Sequence, residues 1–487
     1  MKSVEYIRLS DADNVLVLPE GGETGREVDD AGSGVSFVIA ENIPAWHKVA
    51  CAPIASGKSV VKHGCPIGTA AADIPPGAWV HVHNTSDARK RARRRAKKRN
   101  ARPGESDLKF RGYRRQEGRP GIRNELWVIP SAGLAAKKLE AILSDYHRQY
   151  WIDAVRIIKH PADCPLFACD PEAVAAILCG LVSNPNAAGV LLIGSGRGAP
   201  ESKTAGSSAS DVYMDGSTRI MAVQGLSPSE IAEHLDRLGG EAARVREEFP
   251  VSALCVGVRP ERKDLRLALS LNPFAGRLSD WFASRGGTIL AAKSPETLCD
   301  DEAAAPRISE KHVLNHLQSL SVQHRSGGHA RGALSGEDLD GGLTTITEKN
   351  LLAADGSGHS QITAVLRPGE AVRDCGGVQI TYAPDDYLMS GALLASGGAQ
   401  IILSSAGICT QAETVVPTIE ISPGGWLAVP ARPEWIDFSL SSPSGGKSQE
   451  GDVENLAEYV LRVASGVQMT SRESGLSREE GDFPAKE

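Results

Sequence analysis

No run in this 487-residue chain approaches the roughly 18 consecutive apolar residues of a membrane-spanning helix, and none serves as the apolar stretch of a secretion signal. The chain opens Met1-Lys2-Ser3-Val4-Glu5-Tyr6, with an acid where such a signal is apolar. A cytoplasmic location and no membrane partner are therefore expected. Cysteine is sparse and scattered: nine residues, an odd number, with no Cys-x-x-Cys pair. That pattern suits a reducing compartment and argues against both a disulfide framework and a four-cysteine zinc site. Solenoid-type repeats are absent as well.

What is present is the composition of a soluble globular protein, 41 % hydrophobic and 23 % charged, with 51 Gly and 28 Pro marking many short turns. The length suits two to four domains. The net charge of −7 hides an asymmetry, because residues 89–99 (RKRARRRAKKR) hold nine of the 53 basic residues. The rest of the chain is strongly acidic and repels polyphosphate, so nucleic acid is not expected as a partner. No aromatic platform accompanies the basic run, which reads as a solvated linker before Pro103-Gly104.

That run divides the chain. Residues 1–88 read as a small all-β domain, from short β-branched runs such as Asn14-Val15-Leu16-Val17-Leu18 and Val35-Ser36-Phe37-Val38-Ile39 set between Asp, Gly and Pro. Residues 89–107 read as the flexible basic linker. From 108 to 325 apolar runs alternate with helical stretches, the βαβ signature of a parallel sheet, and 326–487 reads as a C-terminal α/β domain after a loop of small polar residues. The expected fold class is α/β: a small N-terminal all-β domain followed by a large region of Rossmann-like α/β subdomains.

Two segments could carry chemistry. In Trp79-Val80-His81-Val82-His83 a period-two strand places Trp79, His81 and His83 on one face. Paired neutral imidazoles can ligate a divalent ion, with His47 or His63 completing the set; the alternative is surface or hydrogen-bonded histidine. In Arg119-Pro120-Gly121-Ile122-Arg123-Asn124, forked guanidinium donors between glycines could grip a carboxylate, or merely pair with the acidic body. Gly194-Ser195-Gly196-Arg197-Gly198 lacks the dinucleotide-binding spacing and reads as a tight turn.

The layout as a whole resembles a known family. Ile43-Pro44-Ala45-Trp46-His47-Lys48, Val61-Lys62-His63-Gly64-Cys65-Pro66 and Ile74-Pro75-Pro76-Gly77-Ala78-Trp79-Val80-His81-Val82-His83-Asn84 resemble the SAF-type β-clip domain of the altronate and galactarate dehydratases. Gly112-Tyr113, Gly118-Arg119, Arg123-Asn124, Asn184-Pro185-Asn186, Asn272-Pro273, Gly341-Gly342-Leu343-Thr344-Thr345 and Val463-Ala464-Ser465-Gly466 continue the likeness in order along nearly the entire chain. The resemblance implies a hydro-lyase acting on a sugar acid or related hydroxy acid to give a 2-keto-3-deoxy acid. It implies a divalent ion (Fe2+, Mn2+ or Mg2+) near His81 and His83. Catalytic roles fall on His47 and Lys48, and substrate contacts on Arg119, Arg123, Asn124, Thr344 and Thr345. A homodimer is left open.

The chain also departs from the family at several loops, which read here as Gly133-Leu134, Gly196-Arg197-Gly198, Pro260-Glu261-Arg262-Lys263-Asp264, Lys293 and Ser404-Ser405-Ala406-Gly407-Ile408. These exchanges remove soft ligands and acids and add Arg197, Arg262 and Lys263, which disfavours a bound cation. Two alternatives follow: a catalytically silent homologue that binds a sugar acid or a protein partner, and a sulfolactate-type lyase.

Overall fold

A computed structural model describes residues 4–30, 34–87, 106–116, 118–131, 136–161, 170–194, 220–225, 227–261, 264–294, 304–326, 334–384, 386–405, 414–424, 435–441 and 450–469. Most of the 89–107 linker, Cys164, Cys169, Arg197, Arg262 and Lys263 lie outside them.

The N-terminal part is built from eight short strands: β1 (Val15–Leu18), β2 (Glu27–Asp30), β3 (Val35–Val38), β4 (His47–Ala50), β5 (Ser59–Lys62), β6 (Cys65–Ala70), β7 (Trp79–Val80) and β8 (Thr85–Ser86). All their pairings are antiparallel, in the sheets β1-β4-β7, β5-β6-β8 and β2-β3. Their apolar faces close two small clusters, one around Leu16, Leu18, Val49 and Ile39, the other around Val60, Ile67, Ile74 and Val80. The strand expected over 79–83 ends at Val80. The chain turns there because the Asn84 side chain donates to the Trp79 carbonyl and accepts from the His81 amide, while the amides of Asn84 and Thr85 both donate to the His81 carbonyl.

The larger part begins with β9 (Lys109–Gly112), β10 (Glu125–Pro130), α1 (Ala136–Ser144), β11 (Ala154–Ile157), α2 (Pro171–Val182), β12 (Ala187–Gly194), β13 (Ile220–Gln224), α3 (Pro228–Glu241) and β14 (Glu247–Pro250). Strands β11-β10-β12-β13 form a parallel sheet, and β14 pairs antiparallel with β9. Helix α2 starts where Asp170 caps the amide of Ala173 and Pro171 supplies a preset φ; Ser227 and Pro228 do the same for α3.

The remainder comprises β15 (Cys255–Val258), α4 (Leu265–Ser284), β16 (Thr288–Lys293), α5 (Lys311–Ser326), α6 (Gly336–Asp340), α7 (Ile346–Asp355), β17 (Ile362–Leu366), β18 (Gly377–Tyr382), α8 (Tyr387–Ser396), β19 (Ile401–Ser405), β20 (Thr418–Ser422), β21 (Phe438–Ser439) and α9 (Glu450–Ala464). Its strands form one parallel seven-stranded sheet in the order β17-β18-β16-β15-β19-β20-β21. Because β15 and β16 lie in the same sheet as β17 to β21, the expected division at 325/326 does not fall between sheets. Strand β13 closes the first sheet at its edge. Side chains alternate between two buried faces: Val256, Val258, Ile289, Ala291, Ile401 and Leu403 pack with α4 and α9, whereas Cys255, Leu290, Ala292 and Ile402 pack toward α8 and α2. Burial on both faces explains the unbroken apolar runs in the sequence. Among the described residues no helix is long and apolar enough to cross a membrane.

Helices α2 and α8 bind the two parallel sheets together through a close contact. A Cβ at Gly180 would stand 2.2 Å from the Ser396 carbonyl oxygen. Gly180→Ala is therefore expected to cost about 1–3 kcal/mol through overpacking, read as a lower urea midpoint at unchanged slope.

Candidate functional site

The N-terminal sheets meet the rest of the molecule at α6, α7, the turn between them and the start of α4, where Ala268 and Leu269 share an apolar cluster with Ile7 and Val17. At the centre lies Glu348. One carboxylate oxygen accepts from Lys48 at 3.0 Å and the other from Lys62 at 2.7 Å, with all three side chains buried. The Lys48 ammonium also donates to the Gly342 carbonyl. The Thr344 amide and hydroxyl complete the carboxylate's shell. Thr345 caps α7 by accepting from the Glu348 amide and donates to the Ile67 carbonyl of β6.

Burial would push the Glu348 carboxyl up, but the two ammonium groups outweigh it and hold it down at about 2. Lys48 is pulled down to about 8 by complete burial, with Glu348 opposing. A second ion pair closes the far end of α7, where the His63 imidazole meets the Asp355 carboxylate. Burial lowers the His63 pKa, and the bond to Asp355 with its charge overcomes that, leaving it raised.

The pinned turn carries the carbonyls that hold the histidines. His47 Nδ1 accepts from the Trp79 indole at 3.0 Å, so its proton is on Nε2, 3.1 Å from the Asp340 carbonyl. His81 Nε2 lies 3.3 Å from the Leu339 carbonyl, which assigns its proton to Nε2 and its lone pair to Nδ1. Burial, assisted by neighbouring cations, lowers the pKa of both rings. Trp79 stacks on His81 at 5.0 Å between ring centres, and His83 lies 5.3 Å from Trp79 and 6.5 Å from His81. The rings expected on one strand face thus do converge, although the strand itself stops short.

His47, Lys48, His81, His83, Thr344 and Thr345 come together here, and Lys62, Glu348 and Trp79 belong with them. Arg119, Arg123 and Asn124 do not. Arg119 donates to Thr288, the first residue of β16, and to Asp374, at the amino end of the large sheet. Buried Arg123 donates to the carbonyls of Ile122 and Val463, and fully buried Asn124 to those of Trp151 and Ala243. Arg123 and Asn124 clasp backbone segments together, and Arg119 ties the Thr288 and Asp374 side chains. Nor does the cluster fit a divalent ion: both ring nitrogens of His47 are engaged, and among the described residues no group of three or more His, Cys, Asp or Glu side chains could hold a metal.

Over 95 % of its length this chain is 31 % identical to the altronate dehydratase of Bacillus subtilis (strain 168), matching 93 % of that protein. The chain belongs to the altronate/galactarate dehydratase family. Altronate dehydratase of Escherichia coli (strain K12) is 28 % identical over 96 % of each chain, and its galactarate dehydratase (L-threo-forming) 26 % over 96 % of this chain and 94 % of that one. Three family models match in turn: the altronate/galactarate dehydratase SAF domain at 4–88, the second domain of D-galactarate dehydratase/altronate hydrolase at 112–238, and the D-galactarate/altronate dehydratase C-terminal region at 251–481. The ring cluster therefore belongs to the SAF domain, and the turn that pins it to the C-terminal region.

Removing one member of a buried ion pair strands the other charges, so Glu348→Gln is expected to destabilise the protein by about 3–5 kcal/mol at neutral pH. Because its folded pKa lies below the ordinary 4.5, the Glu348 contribution is complete above pH 4.5 and lost as pH falls toward about 2. The stability gap between wild type and Glu348→Gln should accordingly close over that interval in denaturant titrations.

Proposed function

We propose that this chain is a hydro-lyase that removes water from a sugar acid and releases a 2-keto-3-deoxy acid. Its near full-length likeness to sugar-acid dehydratases supports the reaction class. The observation that carries the assignment of roles is the His81 hydrogen bond to the Leu339 carbonyl, which leaves Nδ1 as a basic lone pair beside a stacked aromatic face.

Elimination requires a base for the proton α to the carboxylate and a donor for the departing β-hydroxyl. His81 Nδ1 takes the α-proton. Its lowered pKa keeps the ring neutral at physiological pH, so the base form needs no prior deprotonation. His83, exposed and 5.3 Å from the Trp79 ring, is the donor to the leaving hydroxyl. His47 acts through Trp79 and the Asp340 carbonyl as a positioning residue. Lys48, completely buried, fixes the turn through Gly342 and Glu348 and acts as a positioning residue. A divalent ion, implied by the family, has no fitting ligand set in this cluster, and no step is assigned to one.

The test is a 2-keto acid assay over a panel of aldonic and aldaric acids. His81→Ala should lower kcat by about 100- to 10,000-fold, the range contributed by a positioned general base, and added imidazole should restore part of it. The acid limb of kcat/KM should fall below the ordinary histidine value of 6.5, in keeping with the lowered His81 pKa. Wild-type kcat in His81→Ala, or an acid limb above 6.5, would remove His81 from the role.

A further inference from the structure

The tautomers of His81 and His47 are set by the carbonyls of Leu339 and Asp340, the last two residues of α6. A helix of five residues has too few internal hydrogen bonds to hold its own shape, so these carbonyls stay in place only if other groups fix α6. The Lys48 and Glu348 pair fixes the far side of the turn, through Gly342 and Thr344. The near side is held by Asp338.

Asp338 lies immediately before Leu339 and joins three segments. Its amide donates to the Ser335 hydroxyl at 3.1 Å and its carboxylate accepts from the Ser335 amide at 2.8 Å, the reciprocal pattern that closes a helix start. The same carboxylate oxygen accepts from the Lys349 ammonium of α7 at 2.8 Å, and the Asp338 carbonyl accepts from the Leu343 amide at 2.9 Å, beyond the turn. Burial would raise the Asp338 carboxyl, but donation from Lys349 and Ser335 outweighs it and leaves it lowered, so the charge that holds Lys349 is present at neutral pH. Lys349 follows Glu348 in α7, so successive residues of one helix grip the two sides of one turn. With the Lys349 side chain 43 % exposed, the ion pair adds little to stability. Its effect is on where the next carbonyl points.

The two imidazoles differ in how much depends on α6. His47 has a second restraint, since its Nδ1 accepts from the Trp79 indole. Among the described residues the Leu339 carbonyl is the one hydrogen-bond partner of the His81 ring. Displacing α6 therefore releases the tautomer of His81 and leaves that of His47 standing.

We propose that Asp338 is a positioning residue for His81: by joining Ser335 to Lys349 it holds the Leu339 carbonyl on Nε2, which keeps the ring proton there and the lone pair on Nδ1. The effect on turnover rests on the hydro-lyase reading; the effect on the ring does not.

Nitrogen-15 NMR on the full chain labelled at histidine tests it, at about pH 8, where rings with lowered pKa values are neutral. The signals of His81 and His47 are assigned by their loss in His81→Ala and His47→Ala. Wild type should show both rings protonated at Nε2. Asp338→Ala should leave His47 so and turn His81 into a mixture of the two tautomers. Asp338→Asn, which keeps an acceptor for the Ser335 amide, and Lys349→Met, which removes only the ammonium, should lie between. On whichever sugar acid wild type turns over, Asp338→Ala should lower kcat by about 10- to 100-fold with KM little changed, as for a base held out of line. Gly180→Ala, overpacked elsewhere, should match wild type in both measurements. A folded Asp338→Ala with His81 still in the wild-type tautomer overturns the proposal, as does a mixture that appears equally at His47, the mark of general loosening. If Asp338→Ala does not fold, wild-type His81 signals in both Asp338→Asn and Lys349→Met overturn it instead. A His81 mixture with wild-type kcat would remove His81 from the chemistry and sustain the positioning role. A lowered kcat with the His81 tautomer unchanged would do the reverse.

Discussion

Glu348 is a single carboxylate shared by two buried ammonium groups, and the geometry of the ring cluster follows from it. Lys48 projects from β4 and Lys62 from β5, so the two pairs attach α7 to two different N-terminal sheets at once. The Gly342 carbonyl and the Thr344 amide are drawn into the same shell, which fixes the turn between α6 and α7. The carbonyls of Leu339 and Asp340 are then in place to set the tautomers of His81 and His47. An ion pair that looks like simple docking thus reaches the protonation pattern of two imidazoles several side chains away.

The docking is matched by backbone conformation. Trp46 and His63 have φ of 69° and 54°, a region that residues with side chains occupy at some cost, and both sit on loops facing α6 and α7. The Trp46 carbonyl presses on Gly342, itself at φ 87°, where a Cβ would come within 2.5 Å. His63 uses its unusual conformation to reach Asp355. Both loops are held in place by the partner surface they touch.

Much of this was legible in the residues. The all-β start and the parallel sheets follow from alternation and turn chemistry, which are local; the gathering of Trp79, His81 and His83 is brought about by a turn after Val80 and not by strand alternation. Chain reversal at Asn84 is local too, but it depends on one amide side chain folding back, and period-two counting does not see that. Thr345-x-x-Glu348 announces a helix start, yet the carboxylate is taken up by Lys48, 300 positions earlier, a pairing that no spacing encodes. Arg119, Arg123 and Asn124 lie away from the ring cluster for a related reason. A sequence shows forked donors between glycines, but not that Arg123 and Asn124 have the protein's own carbonyls as acceptors and Arg119 the side chains of Thr288 and Asp374.

The strand order of the large sheet also bears on how the chain reaches its native state. Val258 ends β15 early in the C-terminal region, and its neighbour Leu403 in β19 is made only after α4 to α8 and three intervening strands. Until then the central strand of the sheet keeps one bare edge, and a nascent chain must carry it through most of the synthesis of that region. Sheets assembled from such distant partners form slowly and expose pairing edges on the way, so the interval before β19 docks is the period in which this protein is most prone to aggregate.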